Sequence, residues 1–281
     1  MKLHVAAKTV LAFLAALAAL AAPPASAAEP NPWDGQWHYW VTPYLWLPGV
    51  NGEFRFDLAG GVIPLPPSTS ITTSPDSYLT DLQFAAMIAG EARKGNVSLY
   101  TDLMYIDFAD LASHVTSVGV AGGGSAPGVS ASLNNGLRGT IWTLLGGYTV
   151  ARSNKGYLDL AGGVRYAGLD VSTDWSIAGT NGLFARSGSV DKSIDLWDGI
   201  VGVKGQWLLT PSGDWFVPYY ADIGAGTESN WTWQAYAGLG YRWSWGDAVL
   251  LFRNLSYDQS GDHPIQKLDL TGPALGVTFR W

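Results

Sequence analysis

The stretch "NWTWQAYAGLGYRWSWG", residues 230–246, constrains the fold more than any other. Taken at every second position, one row is Trp231, Trp233, Ala235, Ala237, Leu239, Tyr241, Trp243 and Trp245, without a charge or an amide. The intervening row is Thr232, Gln234, Tyr236, Gly238, Gly240, Arg242 and Ser244. A period of two with one apolar row is the signature of a β-strand. Strands of soluble proteins average about 5–6 residues, whereas this alternation runs for fifteen. A strand in a membrane barrel must cross an outward apolar band about 25 Å tall, edged by aromatic girdles. Ten steps of ~3.3 Å from Trp233 to Trp243, tilted by about 40°, project to roughly that height. Trp231 with Trp233, and Trp243 with Trp245, therefore sit at the spacing of two girdles.

The start of the chain fits export. Lys2 and Lys8 precede an apolar run from Val10 to Ala22, and Ala25-Ser26-Ala27 is a small-residue cleavage site. This predicts a secretory signal over residues 1–27 and a single barrel domain over 28–281. The run is too short for a spanning helix, and no later segment reaches about 18 consecutive apolar residues. Removing the signal takes two of the 16 Lys and Arg and none of the 23 Asp and Glu, moving the formal charge from −7 to −9. That balance argues against a nucleic-acid partner. The absence of cysteine excludes a disulfide framework, a thiolate metal site and a lipidated N-terminal Cys. Thirty-five Gly, fourteen Trp and thirteen Tyr, with 14% charged residues, suit tight turns and membrane interfaces better than a soluble domain.

Other segments repeat the alternation. "LQFAAMIAGEAR" and "VSLYTDLMYIDF" flank Lys94-Gly95-Asn96, and "LRGTIWTLLGGYTVAR" and "YLDLAGGVRYAGL" flank Ser153-Asn154-Lys155-Gly156. "IDLWDGIVGVKGQWLL" and "WFVPYYADIG" flank Pro211-Ser212-Gly213-Asp214, and the opening stretch meets "AVLLFRNLSY" at Gly246-Asp247. The intervening connections are predicted to be long, over 109–136, 170–193 and 258–266, with 228–230 a short exception. Short turns at one end and long loops at the other match outer-membrane barrels, with the short turns periplasmic. Near the N-terminus, "QWHYWVTPYLWLPG" reads as a strand, 48–52 as a turn and "EFRFDL" as a second strand. Parity then requires "VIPLPPSTSITTS" as a short strand, because single-chain bacterial barrels have an even number. The expectation is an all-β, antiparallel barrel of about twelve strands, ten and fourteen also satisfying parity. Ser74-Pro75-Asp76 before "SYLTDL" reads as a small helix with Ser74 as N-cap.

"GPALGVTFRW" alternates Leu275, Val277, Phe279 and Trp281 with Gly276, Thr278 and Arg280. A closing strand ending in Phe279 and Trp281 resembles the assembly signal of Gram-negative outer-membrane barrels, which implies the barrel assembly machinery as a partner. "TPYLWLPGVNGEF", "EARKGNVSLYTDLMYIDF", "DIGAGTESNWTWQAYAGLGYRWS" and "GPALGVTFRW" together resemble blocks of an uncharacterised family of proteobacterial outer-membrane β-barrel proteins. The resemblance implies a transmembrane barrel in contact with outer-membrane lipid and lipopolysaccharide. It carries no established activity.

Motifs for chemistry are sparse. Outer-membrane acyl hydrolases and acyltransferases place a His with a Ser near the extracellular rim, and a Ser-His pair oriented by an acid can act as a nucleophile. Ser113, His114 and Ser117, or Asp262 and His263, are the nearest material, but neighbouring polar residues on a loop are more simply surface residues. Widely separated His without Cys match no zinc spacing, so no metal is expected. "AGGGSAPG" lacks the Lys and the strand–helix setting of a phosphate loop, so no nucleotide cofactor is expected either. Sugar-binding platforms use Trp too, but Trp at strand ends favours girdles.

The inward row of these strands is the informative set. It places Glu91, Asp102, Asp159, Asp198 and Asp222 with Arg93, Arg165, Lys204, Arg242 and Arg280, together with Gln83, Gln206, Tyr100, Tyr220 and Tyr236. Lone charges in a narrow interior are costly and paired ones much less so. The balanced set predicts a filled barrel or a narrow passage. The expected function is a non-catalytic, porin-like outer-membrane barrel, giving narrow passage to small solutes or serving structurally. The alternative is a rim-sited lipid or lipopolysaccharide-modifying enzyme using His114 or His263.

Overall fold

The alternation becomes a ladder. The computed structural model describes residues 31–54, 69–73, 82–108, 129–179, 185–226, 231–259 and 265–281. Its strands are β1 (Trp37–Trp46), β2 (Gly49–Phe54), β3 (Thr69–Thr73), β4 (Leu82–Lys94), β5 (Val97–Phe108) and β6 (Val129–Ser153). They continue with β7 (Gly156–Gly179), β8 (Ala185–Leu208), β9 (Trp215–Gly226), β10 (Trp231–Arg242), β11 (Gly246–Asp258) and β12 (Ile265–Arg280). All twelve belong to one antiparallel sheet. β4 to β12 pair in succession, β4 pairs with β1, and β1 pairs with β12, so ten strands form a closed ring. The Trp281 N–H and C=O both bond Tyr39, which carries the seam to its last residue.

The other two strands correct the expected turn at 48–52. β1 pairs with β12 as Trp46 with Ala274, and β2 pairs with the same strand as Gly49 with Thr271. The register is unbroken across Leu47-Pro48; Leu47 N–H donates to the Pro273 carbonyl at 3.0 Å, and the return bond is missing because Pro273 has no N–H. β1 and β2 are thus one long stave, with β3 folded back against its upper part. The sequence missed this because Pro-Gly and Asn-Gly resemble turn signals; here Gly272 on β12 lets Leu47 and Pro48 approach. A Cβ on Gly272 would lie 2.2 Å from the Leu47 carbonyl oxygen. The proposed helix over 74–82 lies outside the described residues except for Leu82, which begins β4.

Four short connections lie at one end, here the turn end. Gly95, Gly156 and Gly213 have φ of 56°, 144° and 79° there, as tight turns require. The fourth turn is displaced from Gly246-Asp247 to Ser244-Trp245. Trp243 N–H donates to the Gly246 carbonyl at 2.8 Å, and Arg242 pairs with Asp247. Gly246 serves a close approach instead, since a Cβ would meet the Thr278 carbonyl oxygen at 2.4 Å. At the opposite loop end, the expected connections 109–136 and 170–193 are overturned in part. β6 begins at Val129, β7 runs to Gly179 and β8 starts at Ala185, at 25, 24 and 24 residues long.

The outward row is apolar and bare. Val201 is 61% exposed and Phe252 60%, among Leu99, Leu160, Leu250 and Leu275. No described element covers it. Aromatic residues edge this belt. Near the turn end are Trp37, Tyr39, Trp207, Trp215, Trp243, Trp245 and Trp281. Trp243 stacks on Trp245 at 5.9 Å and Tyr39 on Trp281 at 6.5 Å. Toward the loop end are Trp231 and Trp233, with Trp197 against Tyr166 and Trp142 at 4.9 and 6.4 Å. Phe279 is buried on this outer side, its ring 6.0 Å from that of Trp245.

Candidate functional site

The interior is organised in layers along the barrel axis. At the turn end, Arg242 on β10 and Arg280 on β12 share Asp247 on β11, with Nε–Oδ1 3.4 Å and Nη1–Oδ1 2.8 Å. Arg242 Nη2 donates to Gln206 Oε1 at 3.3 Å, and its guanidinium carbon lies 5.0 Å from the Phe216 ring centre. Phe216 can lie there because Gly240 leaves its inner face empty; a Cβ would meet the ring at 2.3 Å.

Beside this group, Arg93 pairs with Asp159 across the barrel and donates to Thr149 Oγ1 at 2.8 Å. The Thr149 hydroxyl donates to Asp159 Oδ1 at 2.6 Å. Glu91 accepts from Arg93 Nη2 at 2.9 Å and pairs with Lys204 on β8. The Arg93 guanidinium is held between two rings, 5.0 Å from Trp33 and 4.8 Å from Tyr157.

Deeper lie two further groups. Arg253 Nη2 donates to Asp102 Oδ2 and to Gln234 Oε1, both at 2.8 Å, and its Nη1 donates to the Tyr44 hydroxyl at 3.0 Å. The Tyr44 hydroxyl in turn donates to Asp102 Oδ1 at 2.6 Å. Arg165 pairs with Asp222, both side chains fully buried, while the Tyr220 hydroxyl also donates to Asp222. Arg165 Nη1 donates to Thr232 Oγ1 at 3.3 Å. Asp198 is the direct cross-strand neighbour of Arg165. Tyr220 and Tyr236 stack at 5.2 Å in the same layer.

Among the described residues, an apolar cluster lies against these pairs. Trp46, Met87, Met104, Ile141, Leu196, Leu255 and Tyr257 form one buried cluster contributed from around the ring. Below them is a cavity of about 500 Å³ that reaches the turn end, where Asn31, Pro32 and Trp33 lie at its edge.

All ten ionisable residues predicted for the inward row face this interior, grouped as described. Three functional side chains were not anticipated. Asp247 was assigned to a turn, and the two-residue displacement of that turn brings it inward. Arg253 lies on a strand whose two rows are both largely apolar, Val249, Leu251, Leu255 and Tyr257 beside it and Leu250 and Phe252 opposite. No period-two contrast marks it. Tyr44 sits in a strand with aromatic residues on both rows. The inward row with these additions holds six acids and six bases.

His38 faces inward, and its Nε2 lies 2.8 Å from Asp34 Oδ1. That hydrogen bond holds the exposed Asp34 carboxyl below the usual carboxylate range. His114 and His263 lie outside the described residues. Among the described residues no cluster of His, Asp and Glu could hold a metal ion.

No protein-family model matches the chain, so the family resemblance of its sequence blocks has no such match behind it. No curated protein sequence matches it either. Among solved structures, it is similar to the outer membrane protease OmpT of Escherichia coli, at 10% identity and a TM-score of 0.44, covering 90% of this chain and 99% of that one. It is also similar to the translocator domain of the autotransporter NalP of Neisseria meningitidis, at 12% identity and 0.39, covering 98% and 96%. A Pseudomonas aeruginosa FadL homologue follows at 12% identity and 0.23, covering 88% and 89%.

Proposed function

We propose that this chain is an integral outer-membrane barrel whose interior is closed, a non-catalytic protein and not an open diffusion pore. The observation that carries the reading is the sequence of layers inside the ring. Paired, buried charges around Arg253 and Arg165 are followed by an apolar cluster drawn from opposite walls. Water and ions have no polar path through such a cluster, because a desolvated ion there costs many kcal/mol. The bare outward belt and its two aromatic edges support a membrane as the solvent outside. In that setting the turn end faces the periplasm and the loop end the exterior. The belt meets outer-membrane lipid and lipopolysaccharide, and Phe279 and Trp281 are offered to the barrel assembly machinery.

Planar-bilayer recording of the refolded, inserted protein tests this, with the heat-dependent gel shift of a folded barrel as the control. Silence is expected. Reproducible conductance steps whose ion selectivity shifts on Arg242→Ala would overturn the closed interior and establish a narrow pore lined by the mixed-sign row. The non-catalytic reading further expects His114→Ala to leave acyl-ester hydrolysis at the background of the unmodified protein.

A further inference from the structure

The cavity at the turn end differs in charge from the interior as a whole. Its wall carries Arg93, Arg152, Lys204, Arg242, Arg253 and Arg280 against Glu91, Asp102 and Asp247. Twice as many cations as acids line it, because Asp159, Asp198 and Asp222 do not reach this wall. Two of its acids are also divided: Glu91 between Arg93 and Lys204, and Asp247 between Arg242 and Arg280. Arg253, 3% exposed, brings a buried Nε with no hydrogen-bond partner. Even with Arg93 also paired to Asp159 behind the wall, six cationic side chains stand against four carboxylates.

Its remaining surface is aromatic. Trp33, Tyr100, Tyr157, Phe216 and Tyr236 line the same space. The chain already demonstrates the pairing such a wall favours. The Trp33 ring lies 5.0 Å from the Arg93 guanidinium carbon and 4.8 Å from that of Arg152, while Lys204 Nζ lies 5.2 Å from the Tyr100 ring centre. Guanidinium forks take carboxylates bidentately, and aromatic faces take flat apolar bodies. A volume of about 500 Å³ lies within the range of small-molecule sites.

We propose that this cavity is a binding site for a small aromatic carboxylate, entering from the turn end. Its carboxylate lies against the guanidinium groups and Lys204, and its ring lies among the tyrosines. The inference uses the same interior as the proposed function but holds whether or not the barrel conducts.

Isothermal titration of the refolded full-length protein in a nonionic detergent, with benzoate as the probe and empty micelles as the blank, tests it. Benzoate is expected to bind saturably at one site. Neutral benzamide and cationic benzamidinium, of the same shape, are expected to bind at least about tenfold more weakly, as is benzoate to Arg242→Gln. Should Arg242→Gln fail the gel-shift control, Arg152→Gln, at an exposed position, is expected to weaken benzoate in the same direction. Absence of saturable benzoate binding, equal binding of benzamide, or unchanged affinity in the folded variant would each overturn the proposal. None of these outcomes bears on conductance, so the two readings fail separately.

Discussion

Replacing Arg253 by Met measures whether the barrel interior is dry. The wild-type guanidinium is 3% exposed and bonds Asp102 at 2.8 Å, Gln234 at 2.8 Å and Tyr44 at 3.0 Å. Met keeps most of the side-chain volume and removes the charge. Asp102, 1% exposed, then keeps the Tyr44 hydroxyl at 2.6 Å but loses its counter-ion. Breaking a buried pair by deleting one partner costs about 3–5 kcal/mol. The same pair in a water-filled lumen would be worth about 0–1 kcal/mol. The two pictures thus differ by a factor of about thirty or more in the unfolding equilibrium.

Equilibrium urea unfolding of the protein in lipid vesicles, followed by tryptophan fluorescence, reads the difference. Arg253→Met and Asp102→Leu are each expected to lose about 3 kcal/mol or more, and the double variant much less than the sum. A coupling of at least about 2 kcal/mol marks a dry pair. Single losses within about 1 kcal/mol and no coupling would refute the closed interior, whatever the bilayer recordings showed.

The lipid-facing assignment predicts that Phe252→Arg, midway between the two Trp pairs of the β10–β11 hairpin, costs about 2–4 kcal/mol in vesicles, while Asn254→Arg, nearer the loop end, costs about 0–1 kcal/mol. Equal costs in the same urea assay would argue against a membrane belt at this height. Trp281→Ala is expected to lower the amount of assembled barrel in cells while leaving refolding in detergent unchanged, which heat-modifiability in both settings checks. The Asp34–His38 contact stabilises the ionised carboxylate, so the Asp34 midpoint is depressed in the folded state. The contribution is present above the ordinary carboxyl value of 3.8 and is lost as pH falls through the depressed midpoint. An NMR titration placing the Asp34 midpoint at or above 3.8 would contradict it.

The outward half of the fold was legible because lipid makes one demand on every strand. Trp231, Trp233, Leu239, Trp243 and Trp245 satisfy it at a strict period of two, and the girdle spacing followed from strand rise alone. That demand ends at the edge of the band, where legibility also ended. β7 and β8 keep their register through "DVSTDWSIAG" and "ARSGSVDKS", where no period-two contrast remains. At ~3.3 Å per residue and a tilt of about 40°, a 24-residue strand rises roughly 60 Å, more than twice the apolar band. Beyond the band backbone pairing persists while the side-chain pattern that reveals it disappears. Polar residues there resemble loops.

The inward half was legible only where charge met alternation. Glu91, Arg93, Asp159, Arg165, Lys204 and Asp222 stood out because their strands put small or polar residues on one row and apolar ones on the other. Arg253 escaped because its neighbours on the inward row are the apolar layer itself. Its position nevertheless explains the layering. The apolar cluster ends along the axis where the cavity begins. An abrupt end against a wet cavity would leave Trp46 and Met104 facing water. Arg253 spans that boundary, its guanidinium carbon 4.9 Å from the Trp46 ring centre and its N–H groups on Asp102, Gln234 and Tyr44. One planar cation closes the dry layer on one side and forms the floor of the polar cavity on the other. Arg253 therefore borders both the apolar cluster and the cavity, so the proposed sealing and the proposed binding are expected to respond together when Arg253 is changed.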